Sequence, residues 1–440
     1  MSNPRPQLRP QVTILTSPSP KPDLKFIHFA DTHLGSNWPA IGRREQIQVP
    51  IYGQAFANVI EAALTHHVDF VLHGGDFVDR PRAPTVAWNR ILQELPKLKQ
   101  AGIPFIVTPG SHDEPESYFD RAGGDVLDVL DRRLGLVNRV DTGRQPTFSF
   151  ETGSGKRVVV YGLGDHGAEQ ATELQKLKIM MHEGSEFKIL LMHGSVSNML
   201  HFVGPTVKSD TIEELLSSRY VDCVALGHNH RRWQHPQMEV YNPGSPEITS
   251  FADAPTIGYH LSHDGTLEED SRELVEHGYY LVEVNGEIIN AQFIPLQTRD
   301  VKNIQIHYEN ATGDQVTKAA KQAISNNLSE RAIIRPVFSG RMNPSSSRAD
   351  INLSEILSLK QKVLYLAYPL LNFEQPLNQL QYAQTSELST ILEQYFASLV
   401  GNSAQETAKL AMKILKVYEK KTQTANQEAL EIVDQWKLPP

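Results

Sequence analysis

Apolar and polar positions are arranged in two ways between Lys25 and Leu226. Short runs rich in Val, Ile and Phe predict buried strands, whereas longer stretches with apolar residues at positions i, i+3 and i+4 predict helices that pack on them. The predicted strands are Phe26 to Ala30, Asp69 to His73, Ile103 to Thr108, Val158 to Gly162, Lys188 to Met192 and Val221 to Leu226. Strands and helices in this order predict a layered α/β domain with its sheet buried between helices.

Two helices are predicted between the first three strands. The first has these apolar residues on one face: Phe56, Val59, Ile60, Ala63 and Leu64. The second is predicted to end at Gly102, a residue type typical of helix C-termini. Its apolar residues at helical spacing are Trp88, Ile91, Leu92, Leu95 and Leu98.

The pattern changes near Tyr279. Two strand-like runs, Tyr279 to Val284 and Ile288 to Leu296, flank Asn285-Gly286, which is typical of a tight β-hairpin turn. A strand, a helix and a second strand then predict a small α+β domain, with approximate ranges 301–307, 314–326 and 332–338. After the polar stretch Gly340 to Ser347 the chain is predicted to be mainly helical.

Four regions are therefore expected along the chain. The first contains six prolines and cannot bury a core, which predicts a disordered tail. The regions are the Pro-rich tail (1–24), the layered α/β domain (25–297), the small α+β domain (298–345) and a helical region (346–440).

Composition narrows the possible classes of function. The formal net charge of −9 argues against a protein that coats nucleic acid through counterion release, but it leaves a local basic groove open. The single cysteine, Cys223, excludes an intramolecular disulfide and a thiolate-rich zinc site, and fits a reducing compartment. We find no secretory signal, and no apolar run approaches the ~20 residues that span a bilayer. A cytoplasmic protein with no membrane partner is expected.

Histidine and aspartate residues cluster directly after the predicted strands. In open α/β folds the carboxyl ends of the strands converge on the crevice where ligands bind. The side chains of five motifs are therefore expected to point into one place. In chain order the motifs are Asp31-Thr-His33, Gly75-Asp76-Phe-Val-Asp79, Gly110-Ser111-His112-Asp113, Met192-His193-Gly194 and Gly227-His228-Asn-His230.

Such a set of side chains suits divalent metal ions. Mixed imidazole and carboxylate ligands favour Mn²⁺, Fe²⁺ or Zn²⁺ over Ca²⁺. A carboxylate can bridge two ions about 3.5–4 Å apart, an arrangement that serves in-line displacement at phosphorus. A lone Asp-x-His is more often a solvated loop, and a lone buried histidine is more often a core residue. The occurrence of five motifs at five strand ends favours the metal site.

The order of these motifs resembles that of the calcineurin-like metallophosphoesterases. Two later elements, Tyr241 to Glu247 and His277 to Glu283, are similar to parts of the SbcD-type DNA repair exonucleases. The resemblance extends from Lys25 to Phe338. It implies a β-sandwich phosphoesterase core flanked by helices, then a small α+β DNA-capping domain and a helical region that binds a partner.

The resemblance also implies a role for each motif residue, with two divalent ions as cofactors and Mn²⁺ as the expected metal. The ligands of one ion would be Asp31, His33, Asp76 and His230. The ligands of the other would be His193, His228, Ser111 and the bridging Asp76. His112 would be the catalytic imidazole, and Asp79 would orient it. The ions would supply the activated water.

Ser111 departs from the family pattern, which has Asn at this position. A serine hydroxyl is a poorer donor and about one bond shorter, so contact with an ion would need a shifted turn or a bridging water. Three outcomes stay open: a weaker second ion, a different preferred metal, or little activity. Because the other metal and catalytic positions are intact, retained but altered metal binding is expected.

The resemblance implies a metal-dependent nuclease that hydrolyses phosphodiester bonds at DNA ends in double-strand-break repair. The resemblance implies a homodimer with an SbcC-like coiled-coil ATPase bound to the C-terminal helices, in the nucleoid-associated cytoplasm. Two alternatives stay open. One is a phosphoesterase that acts on a small phosphodiester or phosphomonoester. The other is a DNA-binding scaffold subunit whose chemistry is weakened at Ser111.

Two pairs of arginines near the motifs are candidate DNA contacts. A guanidinium group matches the geometry of a phosphate, and an ordinary solvated basic pair is the alternative of equal weight. The residues are Arg43, Arg44, Arg231 and Arg232.

Overall fold

The computed structural model describes residues 22–36, 53–114, 124–182, 184–199, 206–373, 409–411 and 413. Strands in these residues are β1 (Leu24–Phe29), β2 (Phe70–His73), β3 (Phe105–Val107), β4 (Asn138–Arg139), β5 (Thr147–Glu151), β6 (Arg157–Leu163), β7 (Phe187–His193), β8 (Ser195–Val196), β9 (Thr206–Val207), β10 (Cys223–Gly227), β11 (Trp233–Gln234), β12 (Val240–Asn242), β13 (Thr256–Leu261), β14 (Leu267–Arg272), β15 (Gly278–Asn285), β16 (Ile288–Pro295), β17 (Val301–Ala311), β18 (Ile333–Met342), β19 (Tyr365–Leu366) and β20 (Leu370–Phe373).

Helices lie between the strands. The α-helices are α1 (Gln54–Thr65), α2 (Thr85–Ala101), α3 (Val126–Asp128), α4 (Gln170–Lys178), α5 (Ser209–Ser217), α6 (Gly313–Ser325) and α7 (Leu353–Leu357). Shorter 3₁₀ turns are Gly167–Glu169, Arg348–Asp350 and Ser358–Lys362, and α3 continues into the π-helical turn Val129–Arg133. The backbone at Gly102 has a φ of +71°, the left-handed conformation that commonly ends a helix, so α2 ends where the sequence predicts.

Two six-stranded sheets form the centre of the fold. The first has the order β16-β15-β1-β2-β3-β4, and the second has the order β11-β12-β10-β7-β6-β5. Strands β1 to β4 run parallel, as do β6, β7, β10 and β12, while the β15–β16 hairpin adds antiparallel to β1. This α/β sandwich confirms the predicted fold class.

Side chains on each strand point alternately to the two faces of its sheet. In β1, Phe26 packs in the core between the sheets, whereas Ile27 packs with α1 and α2. In β7, Ile189 packs between the sheets and Leu190 packs with α4 and α5. Because helices cover both outer faces, the central strands are apolar on both sides, which explains their near-continuous apolar sequences.

A third sheet is formed by strands β13 and β14, which precede the β15–β16 hairpin in the chain, and by β17 to β20, which follow it. Its order is β14-β13-β17-β18-β19, with β20 also paired to β18, and α6 packs on one face. The units β17, α6 and β18 are the predicted strand, helix and strand. Thr312 begins α6 with a capping box, in which its hydroxyl accepts from the N–H of Gln315.

The composition of this third sheet corrects two expectations. The sheet includes β13 and β14, so it is not confined to the predicted range 298–345. Strand β14 is largely charged and exposed, and its sequence therefore has no apolar alternation that would predict a strand. The expectation of helix after residue 346 is wrong for β19 and β20, which extend the sheet along β18.

Some expectations lie outside the described residues. These are the Pro-rich tail up to residue 21 and most of the predicted C-terminal helices, in residues 374–408 and 414–440. Among the helices that the structure describes, none combines the length and the apolar character needed to cross a membrane.

The two central sheets touch through their backbones at the carboxyl ends of β2 and β10. A Cβ atom at Gly74 would lie 2.8 Å from the carbonyl oxygen of Leu226. One at Gly227 would overlap the carbonyl oxygen of Gly74 and lie 2.9 Å from the Cβ of Ala30. Glycine is required because no side chain fits between backbones this close. The contact brings the ends of both sheets together, so that the residues after these strands share one location.

We expect Gly227→Ala to lower the free energy of unfolding by about 1–3 kcal/mol, since the new methyl group overpacks this contact. Urea denaturation measures the change. Gly153→Ala is the matched control, because a Cβ there meets nothing within 4 Å. Equal effects of the two substitutions would contradict the proposed role of the backbone contact.

Candidate metal centre

The five motifs meet where the two sheets touch. Asp31 and His33 follow β1, Asp76 follows β2, and residues 110–113 follow β3. His193 is the last residue of β7, and His228 and His230 follow β10. Their ligand atoms form clusters in which all atoms lie within 4.8 Å of one another: Asp31, His33 and His230; His33, Asp79 and His112; and Asp76, His193 and His228.

The first cluster contains two imidazoles whose ring nitrogens approach each other. The Nε2 atoms of His33 and His230 lie 3.0 Å apart, and the side chain of Asp31 completes the group. The carboxylate of Asp31 also accepts the backbone N–H of His228 at 2.9 and 3.0 Å. One carboxylate thus ties the loop after β10 to the loop after β1.

Hydrogen bonds orient the imidazole of His193 in the third cluster. Its Nδ1–H donates to the carbonyl oxygen of Gly74 at 2.8 Å, which leaves Nε2 as the atom that faces the site. That Nε2 lies 3.2 Å from Nδ1 of His228. The side chain of His193 is fully buried, so its direction is set by these contacts.

Asp76 connects the first and third clusters through one oxygen atom. Its Oδ2 lies 3.7 Å from Nε2 of His33 and 3.4 Å from Nε2 of His193. Its Oδ1 accepts the backbone N–H of His112 at 2.8 Å. A Cβ at Gly110 would overlap Oδ1, so the glycine makes room for this carboxylate. The donor set and its arrangement fit two divalent cations that share Asp76.

The backbone at this centre is strained. Asp31, His33, Asp76 and His228 have φ values of 53°, 43°, 52° and 93°, in the left-handed region that side chains rarely adopt. They are four of the seven non-glycine residues with positive φ in the described part of the chain. Strain of this kind persists where the surrounding structure holds it, and it concentrates at functional sites.

The electrostatics of the centre favour cations. Burial opposes the charged form of His193, but the carboxylates of Asp76 and Asp31 outweigh it and raise the pKa of His193 to about 10. Burial likewise opposes protonation of His230, and its hydrogen bond to Asp253 together with Asp31 raises the pKa of His230 to about 9. The site therefore attracts positive charge strongly, and a divalent ion can take the place of these protons.

The sequence comparisons agree with this geometry. The family model of the calcineurin-like phosphoesterases matches residues 24–232. The DNA double-strand break repair protein Mre11 of Methanococcus maripaludis is 35% identical over 279 residues, which cover 63% of this chain and 68% of the relative. The chain belongs to the calcineurin-like phosphoesterases.

Two further relatives of this phosphoesterase are also DNA double-strand break repair proteins named Mre11. The Mre11 proteins of Sulfurisphaera tokodaii and Saccharolobus solfataricus are 25% and 26% identical over 73% and 78% of this chain, and 75% and 81% of their own lengths. The predicted resemblance is thus confirmed. The enzyme class, a metal-dependent phosphodiesterase, is confirmed with it.

His112 lies at the exposed edge of the phosphoesterase centre. Its Nδ1–H donates to the main-chain carbonyl oxygen of Asp79 at 2.8 Å. The carboxylate of Asp79 lies 3.7 Å from Nδ1 of His33, and the charges of His33 and His112 help to lower the pKa of Asp79 against the effect of burial. Ser111 is exposed in the same turn, directly before His112.

Two buried carboxylates that the sequence analysis did not assign support the phosphoesterase centre. Asp113 accepts backbone N–H groups of Phe77, Val78 and Gly110 at 3.2, 2.9 and 2.9 Å, which joins the loops after β2 and β3. Burial and the charge of Asp76 raise the pKa of Asp113 to about 7. Its place in the third motif is a signal that could have found it.

Asp253 is the second of these carboxylates. Its Oδ1 accepts Nδ1–H of His230 at 3.0 Å, and its Oδ2 accepts from the hydroxyl of Thr249 and from Ser250. A carboxylate behind a ligating imidazole fixes the ring and its tautomer. No motif spacing marks Asp253, because its contact depends on how the loop after β12 folds back.

The structure describes only two of the four arginines that are predicted to contact DNA. Arg43 and Arg44 lie outside the described residues. Arg231 and Arg232 follow His230 directly, and each forms an ion pair, with Glu273 and Glu276 respectively. Their contact with DNA stays a prediction.

We expect Asp253→Asn to weaken Mn²⁺ affinity by about 10–100-fold, because His230 loses the carboxylate that orients it. Isothermal titration calorimetry measures the affinity. Asp264→Asn, in the exposed turn between β13 and β14, removes the same charge away from the centre and serves as control. An unchanged affinity in Asp253→Asn would refute the orienting role.

Proposed function

We propose that this chain is a nuclease that hydrolyses phosphodiester bonds at DNA ends in double-strand-break repair, with two divalent metal ions. The single observation that supports it most strongly is the position of Asp76 Oδ2 between the imidazoles of His33 and His193. Two clusters that share one carboxylate oxygen suit a pair of ions and in-line displacement at phosphorus. The names of the Mre11 relatives support DNA as the substrate.

The residues fall into two ligand sets under this proposal. One ion would be held by Asp31, His33, Asp76 and His230, and the other by Asp76, His193, His228 and the position of Ser111. When bound, the ions activate a water molecule and stabilise charge on the phosphate, and Mn²⁺ is the metal we propose. Asp113 and Asp253 hold the ligand loops in place.

His112 is the proposed catalytic imidazole. Because Nδ1–H is used by the carbonyl oxygen of Asp79, Nε2 is the nitrogen left for the substrate. When the ring is charged, its Nε2–H can donate to a phosphate oxygen and stabilise the transition state, or pass its proton to the leaving oxygen. Asp79 orients the ring through its main-chain carbonyl oxygen.

We further propose that the chain acts with an SbcC-like coiled-coil ATPase and as a homodimer. The part of the C-terminal region that follows the third sheet, residues 374–440, is the proposed binding segment for the ATPase. Apolar residues in the sequence of this region favour a partner-binding role, with helix-in-groove recognition as the mode.

The function is tested by cleavage of linear duplex and single-stranded DNA with Mn²⁺, beside turnover of bis(p-nitrophenyl) phosphate. Metal-dependent cleavage of DNA is expected. Turnover of the small diester without DNA cleavage would favour a small-molecule phosphoesterase instead. DNA binding without any turnover would favour a scaffold subunit weakened at Ser111.

We expect His112→Ala to lower kcat for DNA cleavage by about 10²–10⁴-fold, since the imidazole assists the reaction without holding the metal. Metal content measured by inductively coupled plasma mass spectrometry should stay close to that of the unmodified chain. His263→Ala, at an exposed turn, is the control substitution. Loss of metal from His112→Ala would place His112 among the ligands and contradict this assignment.

Ser111→Asn should raise the affinity for the second Mn²⁺ ion, because an amide oxygen reaches further and donates better than the hydroxyl. The number of ions and their affinities are measured by calorimetric titration. Ser111→Ala removes the hydroxyl without adding an amide and should bring no gain. Identical titrations for the unmodified chain, Ser111→Asn and Ser111→Ala would contradict the proposal that Ser111 weakens the second ion.

A further inference from the structure

A groove of about 490 Å³ runs between two loops. One wall is Asn229 and residues 231–234, in the loop that also carries the candidate ligands His228 and His230. The other wall is residues 273–276, the segment that joins β14 to β15. A chain that lies in this groove therefore contacts the same loop that supplies two of the candidate metal ligands.

Two ion pairs cross the groove, and they differ in how firmly they are held. Arg231 pairs with Glu273, whose other carboxylate oxygen accepts the backbone N–H of Thr256 at 3.1 Å. Arg232 pairs with Glu276, whose side chain is 51% exposed. The structure thus anchors Glu273 to β13, while Glu276 meets solvent on much of its surface. An exposed pair of this kind is weak and easily exchanged.

Arg232 keeps its position independently of Glu276. Its guanidinium lies over the ring of Phe293 at 4.3 Å, and its Nε–H donates to the hydroxyl of Tyr280 at 3.3 Å. The backbone beneath it is also fixed, since Asn242 donates to the carbonyl oxygens of Asn229 and Arg231 at 2.8 Å each. If Glu276 moves away, the guanidinium stays in place.

The wall opposite Arg232 also presents an apolar side chain. Leu274 is 88% exposed, beside Glu273 and near Glu276. A leucine this exposed contributes little to packing in the chain itself. Beside a phosphate-binding arginine it offers a surface for the sugar or base of a nucleotide.

We propose that Arg232 is a phosphate site for the DNA strand that enters the metal centre, and that Glu276 occupies it until DNA arrives. The inference rests on the proposed nuclease function. A backbone phosphate replaces the Glu276 carboxylate on the guanidinium, which presents paired N–H donors to either anion. The exchange lets an acidic protein bind a polyanion at this place, and it selects substrates long enough to reach from the reacting phosphate to Arg232.

The test compares Glu276→Gln and Arg232→Gln on a linear DNA duplex and on bis(p-nitrophenyl) phosphate, whose single phosphate is the one that reacts and leaves none for Arg232. The readout is the ratio of kcat/KM for DNA to kcat/KM for the small diester. Glu276→Gln should raise this ratio about 3–10-fold, because the competing carboxylate is gone. Arg232→Gln should lower it about 10-fold and reduce the slope of log KM against log salt concentration by about one.

Glu287→Gln is the matched control. Glu287 forms an exposed ion pair with Arg219 at 3.1 Å, at the turn between β15 and β16, so the substitution removes the same charge elsewhere. Its ratio should equal that of the unmodified chain. A fall in the ratio for Glu276→Gln, or a rise no larger than that of Glu287→Gln, would overturn the exchange. An unchanged ratio and salt slope in Arg232→Gln would overturn the phosphate site.

The activity of the unmodified chain distinguishes a failure of the proposed nuclease function from a failure of the proposed phosphate site at Arg232. If it cleaves the small diester but not DNA, the proposed function fails. If it cleaves DNA and both variants behave like the control, the phosphate site at Arg232 and its exchange with Glu276 fail while the proposed function stands.

Discussion

The carboxylate of Asp76, held between two buried imidazoles, is the interaction on which the site depends. It brings negative charge to within 3.7 Å of His33 and 3.4 Å of His193, and its other oxygen accepts the backbone N–H of His112, the proposed catalytic residue. That position is available only because the ends of β2 and β10 meet at Gly74 and Gly227. The close approach of the backbones at Gly74 and Gly227 therefore lets the carboxylate of Asp76 lie next to imidazoles from both sheets.

The charge at this point also explains the surrounding structure. Imidazole N–H groups are directed away from the centre by Gly74 and Asp253, which turns the remaining nitrogens towards the shared oxygen. Four residues keep left-handed backbone conformations, and Asp113 collects three N–H groups from two loops. Such strain and burial cost stability, and the fold offsets them through the apolar cores on both faces of each sheet.

The sequence predicts the parts of this arrangement that depend on neighbouring residues. An apolar run that leads into Asp-x-His marks both a strand and the loop after it, so the motif residues fall at strand ends as expected. Strand β14 could not be predicted because its residues are almost all exposed and polar, so its sequence shows no alternation of apolar and polar positions. Asp253 and Glu276 could not be predicted because their partners, His230 and Arg232, lie 23 and 44 residues away, and only the folded loops bring them together. The positive φ values of Asp31 and His33 also lack a local signal, since glycine does not occupy those positions.

The central claim is that one carboxylate serves two ions, and electron paramagnetic resonance of the Mn²⁺-loaded protein tests it most directly. Two Mn²⁺ ions joined by Asp76 are coupled in spin. We predict that, at saturating Mn²⁺, the six-line signal of an isolated ion gives way to the multiline spectrum of a coupled pair. A spectrum of isolated ions at saturation, with one or two bound per chain, would contradict it.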